Sequence, residues 1–216
     1  GSYMGRMTMG LSVMYAPFFL GAHALAGPLG YETDGYSPPY RMALIISSVF
    51  YLALGLFMLR RLLLRYFPDL SAAITLLLTG LATNLYFYTV IEPTMSHSYS
   101  FCLFALFLLL LLRWLDGPSP GRALLLGLIT GLIILVRPSN GIIILLIPLW
   151  EVGSRQQLRQ RLKLLTSSWK HLLIMAVMAL LVVFPQLFYW KYVSGHWLNY
   201  TYEDEGVFFG NPQFIM

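Results

Sequence analysis

The sequence predicts an all-α fold, a polytopic bundle of transmembrane helices, and three observations carry that expectation. Charge is scarce: of 216 residues, 58% are hydrophobic and 11% are charged, against about 25% charged in average domains. The mean hydropathy is +0.70, and the apolar residues fall in runs that approach the roughly 20 residues a helix needs to cross a bilayer core. The remaining charges are sorted into alternate connections. A soluble globular domain is excluded by this balance. The single cysteine, Cys102, excludes an intramolecular disulfide framework.

Segments 42–59, 71–91, 98–115, 122–136, 140–152 and 171–190 read as about six spanning or partly spanning helices. The run 9–26, "MGLSVMYAPFFLGAHALA", is short and holds Pro17 and His23, so it reads as an interfacial or re-entrant segment. Two of the six are too short for a full crossing. At 1.5 Å per residue, 122–136 covers roughly 22 Å and 140–152 roughly 20 Å, against about 30 Å of hydrocarbon. Between them stands "VRPSNG", where Pro138 ends the first helix because its ring cannot continue the ladder. The pair therefore reads as a hairpin whose tip, with Arg137, Ser139 and Asn140, sits below the membrane surface. Gly127 and Gly131 in "GLITG" mark close helix packing. The five tryptophans fall at or just beyond span ends, as aromatic belts do.

Orientation follows from the basic residues. Connections 60–69, 113–122 and 151–170 hold ten of the fourteen Lys and Arg. The alternating connections 27–41, 92–97, 137–139 and 191–216 hold only Arg41, Arg137 and Lys191, but six of the nine acids. The positive-inside rule puts the basic set in the cytoplasm and "EPTMSH" outside. The whole chain, 1–216, reads as a single transmembrane domain. Its ends, "GSYMGRM" and "NPQFIM", read as internal to a longer protein.

Few residues carry chemistry. Glu92 closes a span, Pro93 follows, and Thr94 and Ser96 are suited to cap the helix that begins near His97. The cluster serves either as a pair of helix ends meeting water or as a working site. Acids and imidazoles at membrane depth are costly and usually face a cavity, and a carboxylate beside a histidine can position a hydroxyl or accept its proton. Arg137 is either a snorkelling headgroup anchor or a bidentate donor to a phosphate. In the second case Asn140 and the following helix start add to the same site. The acids Glu203, Asp204 and Glu205 stand among Trp197, Tyr200, Tyr202, Phe208 and Phe209, which suits either sugar recognition or a solvated loop. No phosphate-cradling glycine loop and no metal-ligand spacing is present. A transporter or flippase, or a non-catalytic membrane subunit, stands beside an enzyme among the functions these residues allow. Short, interrupted helices suit transport, but no internal repeat is visible.

Several stretches resemble a family. "YMGRMTMGLSVMYAPFFLGAHALAG", "DGYSPPYR", "FYLALGLFMLRRLLLRYF", "TGLATNLYFYTVIEPTMSHSYSF", "GLIILVRPSN" and "YEDEGVFFGNPQF" are similar to bacterial GT-C superfamily membrane glycosyltransferases, in the branch of protein O-mannosyltransferases and aminoarabinose transferases. The resemblance implies a GT-C-like bundle in the bacterial inner membrane, with its active site facing the periplasm. It implies a sugar taken from a polyprenyl-phosphate donor and passed to a protein or glycan acceptor. Membrane lipid is then a partner and nucleic acid is not. The resemblance places the main catalytic acid in a first external loop upstream of this chain, matches Glu92 to the second external acid, and leaves the role of His97 open. It matches Arg6 to the basic residue that meets the carrier phosphate, sets 9–26 near the outer interface, and allows a divalent metal.

Overall fold

The computed structural model describes residues 8–198, and every regular element among them is helical. In chain order these are α1 (Gly10–Ala26), α2 (Pro38–Leu63), α3 (Asp69–Leu81), α4 (Asn84–Val90), α5 (His97–Asp116) and α6 (Pro120–Val136). A 3-10 run (Pro138–Leu145) then leads into α7 (Leu146–Leu149), α8 (Arg155–Ser167) and α9 (Trp169–Ser194). Three helices, α2, α5 and α9, are long and apolar enough to cross a membrane, or four crossings if α3 and α4 are taken as one bent span. Three or four full crossings are thus shown of the six spanning or partly spanning helices expected, beside the shorter apolar helices Gly10–Ala26, Pro120–Val136 and Pro138–Leu149. Helix α6 has 17 residues, and α1 has the same length with Pro17 inside it.

Two segments differ in kind from the expectation. The run 71–91 is not one helix, because α3 and α4 meet at a 55° bend. Thr83 makes the break. Its hydroxyl donates to the Thr79 carbonyl at 2.7 Å while accepting from the Leu85 N–H at 3.2 Å, so one side chain closes a helix and caps the next. The run 140–152 is not an α-helix over its length but a 3-10 segment followed by one short turn. Ile142, Ile143 and Ile144 are β-branched and lower helix propensity. Pro148 has no N–H to bond the Ile144 carbonyl. It is tolerated in the first turn of a helix that starts at Leu146, where backbone N–H groups lack partners anyway.

Helix α5 is the centre. Its apolar window is 56% buried, against 22% for α2 and 11% for α9. It lies between α2 and α6, while α9 packs along the far side of α6 and α1 lies across α2 and α6. The core gathers Tyr99, Leu103, Phe107, Leu111 and Trp114 from α5 with Ala123, Leu126 and Ile133 from α6. The expected close packing at "GLITG" is present. A Cβ on Gly127 would stand 2.5 Å from the Met175 carbonyl oxygen, and one on Gly131 would stand 2.7 Å from the Val182 Cβ. The outer face of α9 exposes Leu180, Leu181, Phe184 and Phe188, as a lipid-facing helix does. Trp169 and Trp197 are exposed at the ends of α9, whereas Trp114 and Trp190 turn inward and are buried, so the belt holds only part of the set.

The three basic connections gather at one end of the bundle. Arg65 grips Asp116 with two hydrogen bonds of 2.7 and 2.8 Å, and Tyr66 donates to Glu151. Arg122 closes its own connection by donating to the carbonyls of Arg113 and Gly117. The third connection, 151–170, holds α8, a helix absent from the sequence reading. Its start is written in the sequence. Ser154 accepts from the Gln157 N–H at 3.2 Å and Gln157 accepts from the Gly153 N–H at 2.8 Å, a near relative of the capping box.

Candidate functional site

At the other end stands the turn 91–96 that joins α4 to α5. It opens when the N–H groups of Ile91 and Glu92 both reach the Phe87 carbonyl, at 2.9 and 3.1 Å, and it tightens where the Met95 N–H meets the Glu92 carbonyl at 3.1 Å. Ser96 precedes α5, but its backbone is already helical and its hydroxyl makes no cap bond. Neither Ser96 nor Thr94, which is exposed, caps the helix as expected. The turn is held from beneath instead. Tyr15 of α1 donates to the Thr94 carbonyl, and Tyr99 donates to the Pro93 carbonyl at 3.3 Å. Tyr99 also shares a hydrogen bond of 2.7 Å with Ser47, and Ser48 meets Ser98 at 2.8 Å. All four of these α2 and α5 residues are fully buried. Buried polar groups must find partners, and here the partners lock the first turn of α5 to α2. The polar turn therefore rests on a fixed base.

The side chains above that base are less committed. Glu92 is half-buried, and none of the ion pairs or side-chain hydrogen bonds among the described residues engages its carboxylate. His97 lies flat on Tyr88, with ring centroids 3.8 Å apart and planes at 16°. One face of its imidazole is thus fixed. The ring also lines an open cavity of about 390 Å³ with Thr79, Thr83, Asn84, Leu85, Tyr88 and Phe101. The bend at Thr83 shapes this cavity, since residues from both arms of the bend line it. On the other side of the turn, Thr94 and Met95 join Thr8, Met9, Ser12, Tyr15, Gln186 and Tyr189 around a second cavity of about 500 Å³.

The hairpin tip reaches the same end. Asn140 donates to the Ser100 hydroxyl at 3.1 Å, one turn along α5 from His97, and its own N–H closes on the Arg137 carbonyl at 2.9 Å. Arg137 follows α6 in extended backbone and is exposed. The hairpin tip, with Arg137 and Asn140, is thus tied through Asn140 to the first turn of α5, where His97 stands. Glu92 shares the turn with His97, but it makes no ion pair with Arg137. Arg6, Glu203, Asp204 and Glu205 lie outside the described residues.

Gln186 was not singled out by sequence reasoning. It is 3% exposed, and its side-chain oxygen accepts the Met9 N–H at 2.8 Å, tying the start of α1 to α9. The signal was a lone amide next to Pro185 in an apolar run, the kind of residue that joins helices in a membrane. No group of three or more His, Cys, Asp or Glu that could hold a metal occurs among the described residues.

Fold and site together define the class: an all-helical membrane protein with a polar turn held between two cavities at the end opposite its basic connections. No family model, no curated protein and no solved structure matches the chain. The likeness to GT-C glycosyltransferases therefore rests on the sequence motifs alone.

Proposed function

We propose that the protein is a membrane glycosyltransferase that moves a sugar from a polyprenyl-phosphate donor to an acceptor hydroxyl, at the outer, periplasmic end of a bundle in the bacterial inner membrane. The observation that carries this reading is Glu92, without an ion-pair partner among the described residues, on the same clamped turn as His97, with the hairpin tip of Arg137 and Asn140 tied to the first turn of α5. Transfer needs a base, an anion site and a place for the sugar. The Glu92 carboxylate takes the acceptor's proton as its oxygen bonds to the anomeric carbon. The bond from that carbon to the phosphate oxygen breaks, and polyprenyl phosphate leaves with the electron pair. Arg137 presents a planar pair of donors to that phosphate, Asn140 is held in place by Ser100, and the His97–Tyr88 stack forms a flat wall for the sugar.

The bent pair α3–α4 favours a second reading, in which a lipid-linked or anionic substrate is carried across the membrane, since interrupted helices line such pathways. The full-length protein reconstituted in vesicles with a sugar-labelled polyprenyl-phosphate donor separates the two. Glycosyl transfer leaves label on the acceptor and free polyprenyl phosphate. Intact donor recovered on the opposite leaflet, with no labelled acceptor, would overturn the transferase reading.

A further inference from the structure

The basic end of the molecule carries a feature that the transfer reaction does not use. Helix α8 joins α7 to α9, so both of its ends continue into apolar helices. No residue of α8 is fully buried, yet its sides differ. Arg161 turns inward and donates to the carbonyls of Ile147 and Trp150 at 3.3 and 3.1 Å, and Leu165 packs on the core. Arg155, Arg159 and Lys163 are exposed. They stand four residues apart, and each step of four advances only about 40° around a helix, so they form one stripe. None of the three side chains has an ion-pair or hydrogen-bond partner among the described residues. Like charges at this spacing repel, so the stripe lacks the counter-charge that would settle it. Beside the stripe stands Leu162, which is 47% exposed. Trp169, at the far end of α8, is 57% exposed.

We propose that α8 lies in the plane of the membrane surface as a binding site for anionic phospholipid headgroups. Leu162 and Trp169 meet the acyl boundary, and Arg155, Arg159 and Lys163 rest on lipid phosphates. A basic stripe beside an apolar edge is the pattern of an interfacial helix. Here the bundle supplies the depth, because α8 is tethered at both ends to apolar helices and pinned by Arg161 to the end of α7. The occupant is a lipid rather than a soluble anion, because the apolar residues exposed beside the stripe and just after it, Leu162, Trp169, Leu173 and Val177, offer a surface that only a lipid uses. This inference is independent of the glycosyltransferase reading.

The test uses the full-length protein reconstituted in bilayers with spin-labelled phosphatidylglycerol or phosphatidylcholine, comparing how strongly each is immobilised at the protein. Wild type is expected to favour the anionic lipid by about fivefold, the factor one basic residue near an anionic surface supplies, because the preference is averaged over all boundary lipid. The variant R155Q/R159Q/K163Q is expected to bring the ratio close to one, while the charge-keeping R155K/R159K retains it. Molar salt is expected to lower the wild-type ratio by screening, a readout that does not depend on the triple variant folding. An equal ratio for both lipids in wild type, or a preference that survives both high salt and the triple substitution, would overturn the assignment.

Discussion

The contact between α6 and α9 gives the sharpest stability prediction, because one helix carries both the perturbation and its control. In Gly127→Ala the new methyl would stand 2.5 Å from the Met175 carbonyl oxygen and 2.7 Å from the Met175 Cα. Non-bonded carbon atoms are comfortable at about 3.5–4.0 Å, so α6 and α9 must part by about 1 Å. A gap of that size forfeits roughly a quarter to a half of the dispersion well at each contact. Overpacking of this kind costs about 1–3 kcal/mol. Alanine returns up to about 1 kcal/mol of helix propensity, so the net loss is about 0–2 kcal/mol. Gly121→Ala receives the propensity term alone, because nothing lies within 4 Å of its Cβ. The difference between the two variants, about 1–3 kcal/mol, isolates the contact. At Gly131 the obstacles are the Val182 Cβ at 2.7 Å and the Ala179 carbonyl oxygen at 2.8 Å. One separation of the helices relieves both sites, so the double alanine variant should lose less than the sum of the singles. Unfolding in bicelles with increasing dodecyl sulfate, followed by helical circular dichroism, supplies the numbers. If Gly127→Ala is as stable as Gly121→Ala, the helices do not touch there and the packing described is wrong.

Three further predictions concern orientation, charge and the hairpin tip. A cysteine placed at Gln157 and one placed at Tyr36 should react with an impermeant thiol reagent from opposite faces of the membrane, and labelling of both from one face would break the proposed topology. Asp34 accepts from the N–H groups of Tyr36 and Ser37 at 2.8 and 2.9 Å, and these bonds hold its carboxyl below the usual range. A lowered folded value means that the order it lends the start of α2 is full above about pH 4 and fades as the pH falls through that lowered value. The Tyr36 and Ser37 amide resonances should therefore titrate below the ordinary aspartate range, and a midpoint at or above it would refute the interaction. Asn140→Ala should lower stability by about 0.6 kcal/mol, the average for a polar tie between membrane helices, and a Ser100→Ala background should abolish that loss.

What the sequence made legible was mostly local or periodic. Pro138 stops α6, the glycines of "GLITG" meet a neighbouring helix, and the clustered arginines and lysines collect at one end. Glu92, His97, Arg137 and Asn140 stood out because polar groups are rare in this chain. Their grouping was only partly legible, because Asn140 meets Ser100 and His97 stacks on Tyr88 through tertiary contacts that no spacing encodes. The bend at Thr83 was hidden because hydropathy averaged over a window passes smoothly through one threonine and one asparagine. The 3-10 run was hidden for a related reason, since an isoleucine run reads as apolar whichever helix it forms. The tyrosine clamp under the turn joins residues from α1, α2 and α5 and becomes visible only once those helices are placed. Helix α8 is different. Its capping pair, Ser154 and Gln157, was readable, but high charge made the stretch look like a connection.

We propose that the turn of Glu92 and His97, together with Arg137 on the hairpin tip, performs glycosyl transfer. Steady-state transfer of labelled sugar from a polyprenyl-phosphate donor by the full-length protein tests it most directly, with Glu92→Gln and Arg137→Ala compared against wild type at matched expression and helicity. Arg137 would stabilise charge that develops on the departing phosphate, and loss of a preorganised donor of that kind costs about 100- to 1000-fold in rate. A fall of that order in kcat is expected for Arg137→Ala, and a comparable fall for Glu92→Gln because the amide cannot take up the acceptor's proton. Near wild-type kcat in both variants would contradict it, leaving Arg137 as a headgroup anchor and Glu92 as a helix-end carboxylate.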